Sequence, residues 1–300
     1  MWWLAAFVFL TDSVQTRTVS VAPGEDIQVT AAGAGTPVVL VPGLFGGAFG
    51  FRKLVPLLVA RGHRVIVVEP LGVGTSARPE RADYSLDAQA LRVAAVLDSL
   101  QIRQPLIVAH SVGAAIAFRV AYRRPDLVRG LVSLDGGPAE SAATPGLRRA
   151  GQWAPWVKLL GGVKLVRGKI RGALIKASGD TTWVTDEVVA GYTEGAARDL
   201  DGTLKAYLRM GESREREKLA PHLQEIRCPV RLVLGGAPHP EAMRASGLAL
   251  LRTRLSRLVV DTLAGAGHHL HEEQPAAVAA IIEQLSSADT VAGVVAGVVP

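Results

Sequence analysis

Apolar residues along this chain gather into short runs that alternate with longer stretches of helical spacing. Pro37–Val41, Arg64–Val68, Leu106–Ala109, Leu131–Leu134, Val230–Leu234 and Arg257–Val260 are runs of this kind, rich in Val, Ile and Leu. Near-continuous apolar runs of this length suit strands buried on both faces of a parallel sheet. Between them, Leu54, Leu57 and Leu58 recur at helical spacing in Phe51–Arg61, which stops at Gly62. Leu86–Leu100 repeats the pattern at positions 86, 90, 93, 94 and 97, with Asp87 in its first turn. Ala114–Tyr122, Ala242–Leu251 and Pro275–Leu285 are further helices, and Arg17–Thr30 reads as two short strands around Pro23-Gly24-Glu25-Asp26. Strand-helix alternation predicts an α/β fold: a mostly parallel, doubly wound sheet with right-handed crossovers and helices on both faces.

The alternation lapses between Gly136 and about Pro221, where the composition turns helical and polar. The expected organisation is therefore a core of residues 17–138 and 216–286, interrupted by a helical cap or lid insertion at 139–215. In open α/β sheets such an insertion at the carboxyl ends of the strands lies over the ligand site. Residues 1–16 form an apolar N-terminal segment and 287–300 a loose tail of small residues.

Composition sharpens this only locally. With 300 residues, 49% of them hydrophobic, the chain can bury a large core, and its single cysteine, Cys228, forms no internal disulfide. Cys228 precedes an apolar run and is expected as a buried, unreactive thiol. The net charge of +6 comes mostly from interspersed charges, the pattern of a solvated surface. From Ser141 to Gly179, however, eight basic residues occur with no acidic one, and Trp153 and Trp156 lie among them. This stretch reads either as a solvated helical face with two pocket-lining tryptophans or as a dock for an anionic membrane surface. Met1–Leu10 lacks the marks of a secretory signal and is too short to span a bilayer, which takes about 20 residues. The placements it leaves open are cytoplasmic, membrane-associated through the apolar N-terminus, and secreted. No nucleic-acid-binding motif is present, and nothing fixes an oligomeric state.

The chemistry concentrates at three strand ends. Ala109-His110-Ser111-Val112-Gly113 follows a strand and opens an Ala-rich helix. A sharp strand-to-helix turn of this form, usually G-x-S-x-G, lifts a serine hydroxyl above the sheet at a helix N-terminus. Ser111 is the candidate nucleophile, and the Val112 N–H is positioned to face an oxyanion. His110 is expected to be structural. The glycine-rich loop Pro42-Gly43-Leu44-Phe45-Gly46-Gly47 supplies a second donor through the Leu44 N–H, with Phe45 at the substrate pocket. Late in the chain, Gly267-His268-His269-Leu270-His271 offers a base, His268 being the choice. A zinc site shared by His268 and His271 is the competing idea, set aside because no cysteine is near and Ser111 already accounts for a base.

These motifs resemble the α/β-hydrolase superfamily, in its capped esterase and epoxide-hydrolase-like branch, over roughly Thr18 to Ser286. Glu69-Pro70-Leu71-Gly72-Val73-Gly74-Thr75-Ser76, Asp83-Tyr84-Ser85-Leu86 and Arg124-Pro125-Asp126-Leu127-Val128-Arg129-Gly130 carry the resemblance further. Dehalogenases and epoxide hydrolases of that family use an aspartate nucleophile, so Ser111 implies acyl transfer or related serine-dependent hydrolysis. Two departures stand out. Pro42 replaces the histidine that commonly braces the early loop. Gly235-Gly236-Ala237-Pro238-His239-Pro240 lacks the carboxylate that the family usually carries there. Some members place the acid one strand earlier, where Asp135 lies, and Asp135 is the choice here, with Glu241 and Glu140 behind it and a turn-capping role as its rival.

The expected function is thus a serine esterase with Ser111, His268 and Asp135 as its triad, Leu44 and Val112 as backbone donors, and no metal or cofactor. The substrate would be a small ester with an apolar acyl group. Hydrolysis of C–C bonds, lactones or amides stays open, as does a catalytically silent binding protein.

Overall fold

The computed structural model describes residues 14–142 and 162–295, with side chains through residue 287. Strands β1 (Gln15–Ala22) and β2 (Glu25–Ala32) form an antiparallel hairpin around Gly24, whose φ of 75° suits a glycine in the turn. β3 (Thr36–Val41) leads through a 3₁₀ turn, Gly47–Phe51, into α1 (Leu54–Val59), so the helix begins three residues later than its leucine spacing predicts. There follow β4 (His63–Val68), α2 (Leu86–Ser99), β5 (Leu106–His110), α3 (Val112–Arg123) and β6 (Gly130–Leu134). Among the described residues, four helices come next: α4 (Gly162–Ala177), α5 (Asp186–Tyr192), α6 (Glu194–Arg198) and α7 (Leu200–Glu212). The chain then returns to β7 (Val230–Gly235), α8 (Ala245–Arg254), β8 (Leu258–Leu263), α9 (Leu270–Glu273) and α10 (Pro275–Val295). α10 continues through the stretch from Ser287 to Val295 that its small residues assigned to a loose tail.

The strands form one eight-stranded sheet in the order β1-β2-β4-β3-β5-β6-β7-β8, parallel from β4 through β8. Side chains alternate across it, as a period of two requires. Val39, Val41, Ile107, Ala109 and Leu131 pack with α2 and α3 on one face. Val38, Leu40, Leu106, Val108 and Val132 pack with Leu54 and Leu58 of α1 and Val278 and Ile282 of α10 on the other. Each such aliphatic side chain contributes about 1.5–3 kcal/mol through burial. Cys228 is half-buried against the first of these faces, less enclosed than its apolar neighbours predict.

α4 to α7 lie between β6 and β7 in the chain. Ile170, Leu174, Trp183, Val184, Val188, Val189 and Tyr192 form a separate apolar cluster there. Trp153 and Trp156 lie outside the described residues, as do Arg148, Arg149, Lys158 and residues 1–13 of the apolar N-terminal segment. Among the described residues, no helix is long and apolar enough to cross a membrane.

Candidate active site

β5 turns into α3 at Ser111, whose φ of 55° and ψ of −123° are unfavourable for a residue with a side chain. A backbone of this kind costs about 1–3 kcal/mol and persists only where its surroundings impose it. Here the Ser111 N–H donates to the Leu134 carbonyl at 3.1 Å, and the Ala114 N–H to the Ser111 carbonyl at 3.0 Å. Two glycines make room for the turn. A Cβ on Gly113 would come within 2.6 Å of the Pro42 oxygen, and one on Gly136 within 2.5 Å of the Ser111 oxygen. Ala109, in the position usually given to glycine, is fully buried and accommodated.

The loop after β3 approaches the same turn: a Cβ on Gly43 would stand 3.2 Å from the Ser111 Cβ. Leu44 is buried, and Phe45, about 40% exposed, meets the Tyr207 ring edge-on at 5.2 Å. The loop is braced by two residues that its own sequence does not advertise. The buried Glu69 carboxylate accepts the Ala48 N–H at 2.7 Å, the Thr75 N–H at 2.7 Å and the Thr75 hydroxyl at 3.0 Å. The Tyr207 hydroxyl, from α7, donates to the Leu44 carbonyl. Glu69 thereby ties down the loop in which Pro42 stands for the usual bracing histidine. Gly47 and Gly74 leave room for it, since a Cβ at either would collide with the Glu69 carboxylate.

His268 follows β8. Its N–H donates to the Ala177 carbonyl at 2.7 Å, and its Nδ1 lies 2.6 Å from Asp135 Oδ2. Asp135 sits just beyond β6 with a φ of 45°; its N–H donates to the Val233 carbonyl and its Oδ1 accepts the Gly235 N–H at 3.1 Å. Burial pushes the Asp135 carboxyl up, but contacts with His239 and His268 outweigh it and hold the group below the usual carboxylate range. The other two acids take different partners. Glu140 accepts from Arg119 and from the Leu219 and Ala220 N–H groups, while Glu241 lines the outer cavity.

The remaining histidines form a buried group. His110 Nε2 lies 3.0 Å from the His268 carbonyl, which can only accept, so His110 carries its proton on Nε2. Burial, followed by the neighbouring imidazoles, holds His110 and His269 well below the ordinary histidine value and His271 down to about 3. His271 packs against Phe51 and His110. Among the described residues it joins none of the groups of three or more side chains spaced to hold an ion; those with His268 bring in His110 and His269, or Asp135 and His239.

Ser111, Val112, Leu44, Phe45, His268 and His269 all line one cavity of about 900 Å³. Leu165, Val166, Ile170 and Ala173 of α4 and Leu200, Leu204 and Leu208 of α7 make much of its wall, and Lys169, Glu194, Arg198 and Glu241 are among its charged lining. Of the cationic residues in the acid-free stretch, Arg171 pairs with Asp186.

A model of the alpha/beta hydrolase fold matches residues 36–157. A 2-hydroxymuconate semialdehyde hydrolase of Pseudomonas sp. (strain CF600) is 35% identical over 129 residues, 42% of this chain and 46% of that protein. An sn-1-specific diacylglycerol lipase of Xenopus laevis is 34% identical over 113 residues, 37% of this chain and 36% of the lipase. Both matches span less than half of the relative. An epoxide hydrolase of known structure superposes with a TM-score of 0.78 at 19% identity, covering 92% of this chain and 99% of the other. Sheet order, serine turn and family match agree: this chain has the α/β-hydrolase fold.

Proposed function

We propose that the chain is a serine hydrolase that cleaves carboxylic esters with apolar acyl groups through an acyl-enzyme. The observation that carries this reading is the 2.6 Å contact between His268 Nδ1 and Asp135 Oδ2, with His268 lining the same cavity as the strained Ser111. With Nδ1–H given to the carboxylate, His268 presents the Nε2 lone pair as base. It takes the Ser111 proton as the oxygen attacks the ester carbonyl. The developing oxyanion rests on the Val112 and Leu44 N–H groups. His268 then protonates the leaving alcohol, activates water and so frees the acid. The apolar wall from α4 and α7 supports an apolar acyl group and the reading of these helices as part of a lid over the pocket. The early loop and α3 supply the two backbone donors whichever acyl group is bound.

A second reading is hydrolysis of a C–C bond, favoured by the 35% match to the 2-hydroxymuconate semialdehyde hydrolase. It uses the same serine and differs in substrate, so a panel of p-nitrophenyl esters against vinylogous diketones separates the two. A fluorophosphonate probe should label the wild type and fail to label Ser111→Ala. Labelling that survives in the variant sinks both readings.

A further inference from the structure

One buried side chain meets the proposed triad through a single long contact to its acid. His239 stands just past β7, where the family usually carries its acid. Its side chain is fully buried, and neither ring nitrogen has a hydrogen-bond partner among the described residues. Buried polar atoms are ordinarily paired, so an imidazole left bare on both nitrogens points to a missing partner. His239 Nε2 lies 3.4 Å from Asp135 Oδ2, long for an N–H···O bond. The same oxygen meets His268 Nδ1 at 2.6 Å, while Oδ1 stays on the Gly235 N–H. One ligand atom from each of Asp135, His239 and His268 lies within 4.8 Å of the others.

We infer that these three residues form a binding site for a divalent cation of the zinc class, and that filling it switches the His268 base off. Zinc takes nitrogen and oxygen ligands at about 2.0–2.1 Å in a tetrahedron, which sets its ligand atoms about 3.3 Å apart. The His239–Asp135 pair already has that spacing. The 2.6 Å His268–Asp135 contact has to open by about 0.7 Å, and the two imidazoles, whose ligand atoms lie within 4.8 Å of each other, have to settle at the same spacing. Two imidazoles with one carboxylate favour zinc over magnesium or calcium, which prefer all-oxygen shells. The group His110, His268 and His269 is spaced as closely. It offers no carboxylate to balance the ion, and His110 Nε2 is already committed to the His268 carbonyl.

The effect on catalysis follows from one proton. As base, His268 needs its hydrogen on Nδ1 and its lone pair on Nε2. A cation on Nδ1 takes the lone pair there, so the single proton of the neutral ring moves to Nε2. That nitrogen then donates, and the Ser111 proton has no acceptor. When the ion leaves, the proton returns to Nδ1. No electron changes hands. The loss of rate rests on the serine-hydrolase reading; the binding does not.

The full chain, stripped with a chelator, is titrated with Zn²⁺ by calorimetry and with Co²⁺ by visible absorption, as wild type, Ser111→Ala and His239→Gln. Ester turnover is followed alongside. Expected are one site per chain in wild type and Ser111→Ala, a tetrahedral cobalt spectrum, and turnover that falls at least tenfold on filling and recovers with chelator. His239→Gln, with its fold checked by melting and His239→Asn as second variant, should lose the cobalt band and weaken zinc by about tenfold or more. Unchanged zinc affinity in folded His239 variants overturns the inference. So does an active esterase that binds no zinc. Stoichiometric binding in a protein that fails to label with fluorophosphonate supports the site and removes the hydrolase reading instead.

Discussion

The ends of β6 and β7 are neighbours in register, Leu134 opposite Val233, yet they present opposite chemistry to the same imidazole. β6 ends in a carboxylate and β7 in a loop whose nearest ionisable group to that carboxylate is His239. What separates them is how each end is held. Asp135 is turned by a left-handed backbone and fixed through its N–H and its Oδ1 to the β7 chain itself. The β7 strand thus contributes the backbone that anchors an acid borrowed from its neighbour. Reach to His268, rather than strand number, decides which end carries the carboxylate.

The largest test of this contrast is Asp135→Asn, which should lower kcat for esters by about 10⁴-fold by favouring the wrong imidazole tautomer. A loss below about tenfold in steady-state kinetics would remove Asp135 from the triad. Moving the acid back should recover part of the rate: Asp135→Asn combined with His239→Asp is expected to exceed the single variant by about tenfold. A double variant no faster than the single one would show that the β7 end has lost its reach.

Acid should test the histidines differently. Burial first, and neighbouring imidazoles next, depress His110, His269 and His271 below 6.5 in the folded chain. The unfolded chain then takes up protons that the folded one refuses. Their stabilising effect is complete above 6.5 and is lost as pH falls toward the folded values, by about 1.4 kcal/mol per pH unit for each. Contact with Asp135 raises His239, which acts in the opposite sense and is outnumbered. Urea unfolding should show stability dropping between pH 7 and pH 5; a flat profile would contradict the buried, neutral assignment. The smallest catalytic effect is expected at Glu140. Glu140→Gln should change kcat by less than about twofold while costing about 1 kcal/mol of stability, because the buried Arg119 loses its nearest carboxylate and keeps the longer contacts to Glu215 and Asp87. A catalytic loss larger than the stability loss would reopen its candidacy.

Much of this was legible in the sequence because it is periodic or local. The alternating faces of β3 and β5, the elbow at Ser111 and the position of His268 follow from runs and motifs a few residues long. Asp135 was reachable as well, once the loop after β7 was seen to lack an acid. Glu69, Tyr207 and His239 were not, since their roles depend on partners 21, 163 and about 100 residues away that no spacing rule connects. The start of α1 was misplaced because Gly47–Phe51 takes up a 3₁₀ turn before the leucine pattern can begin. The extension of α10 was missed because small residues carry no amphipathic signal to mark where a helix stops.

The bond from Tyr207 to the Leu44 carbonyl has a consequence for engineering. The wall proposed to select the acyl group and the residue whose N–H is proposed to receive the negative charge share a fastening. Exchanging α4 to α7 for those of a related hydrolase would alter substrate preference and loosen the Leu44 peptide together. A chimera that is to keep its turnover has to carry residue 207 and the loop 42–47 as one transplant.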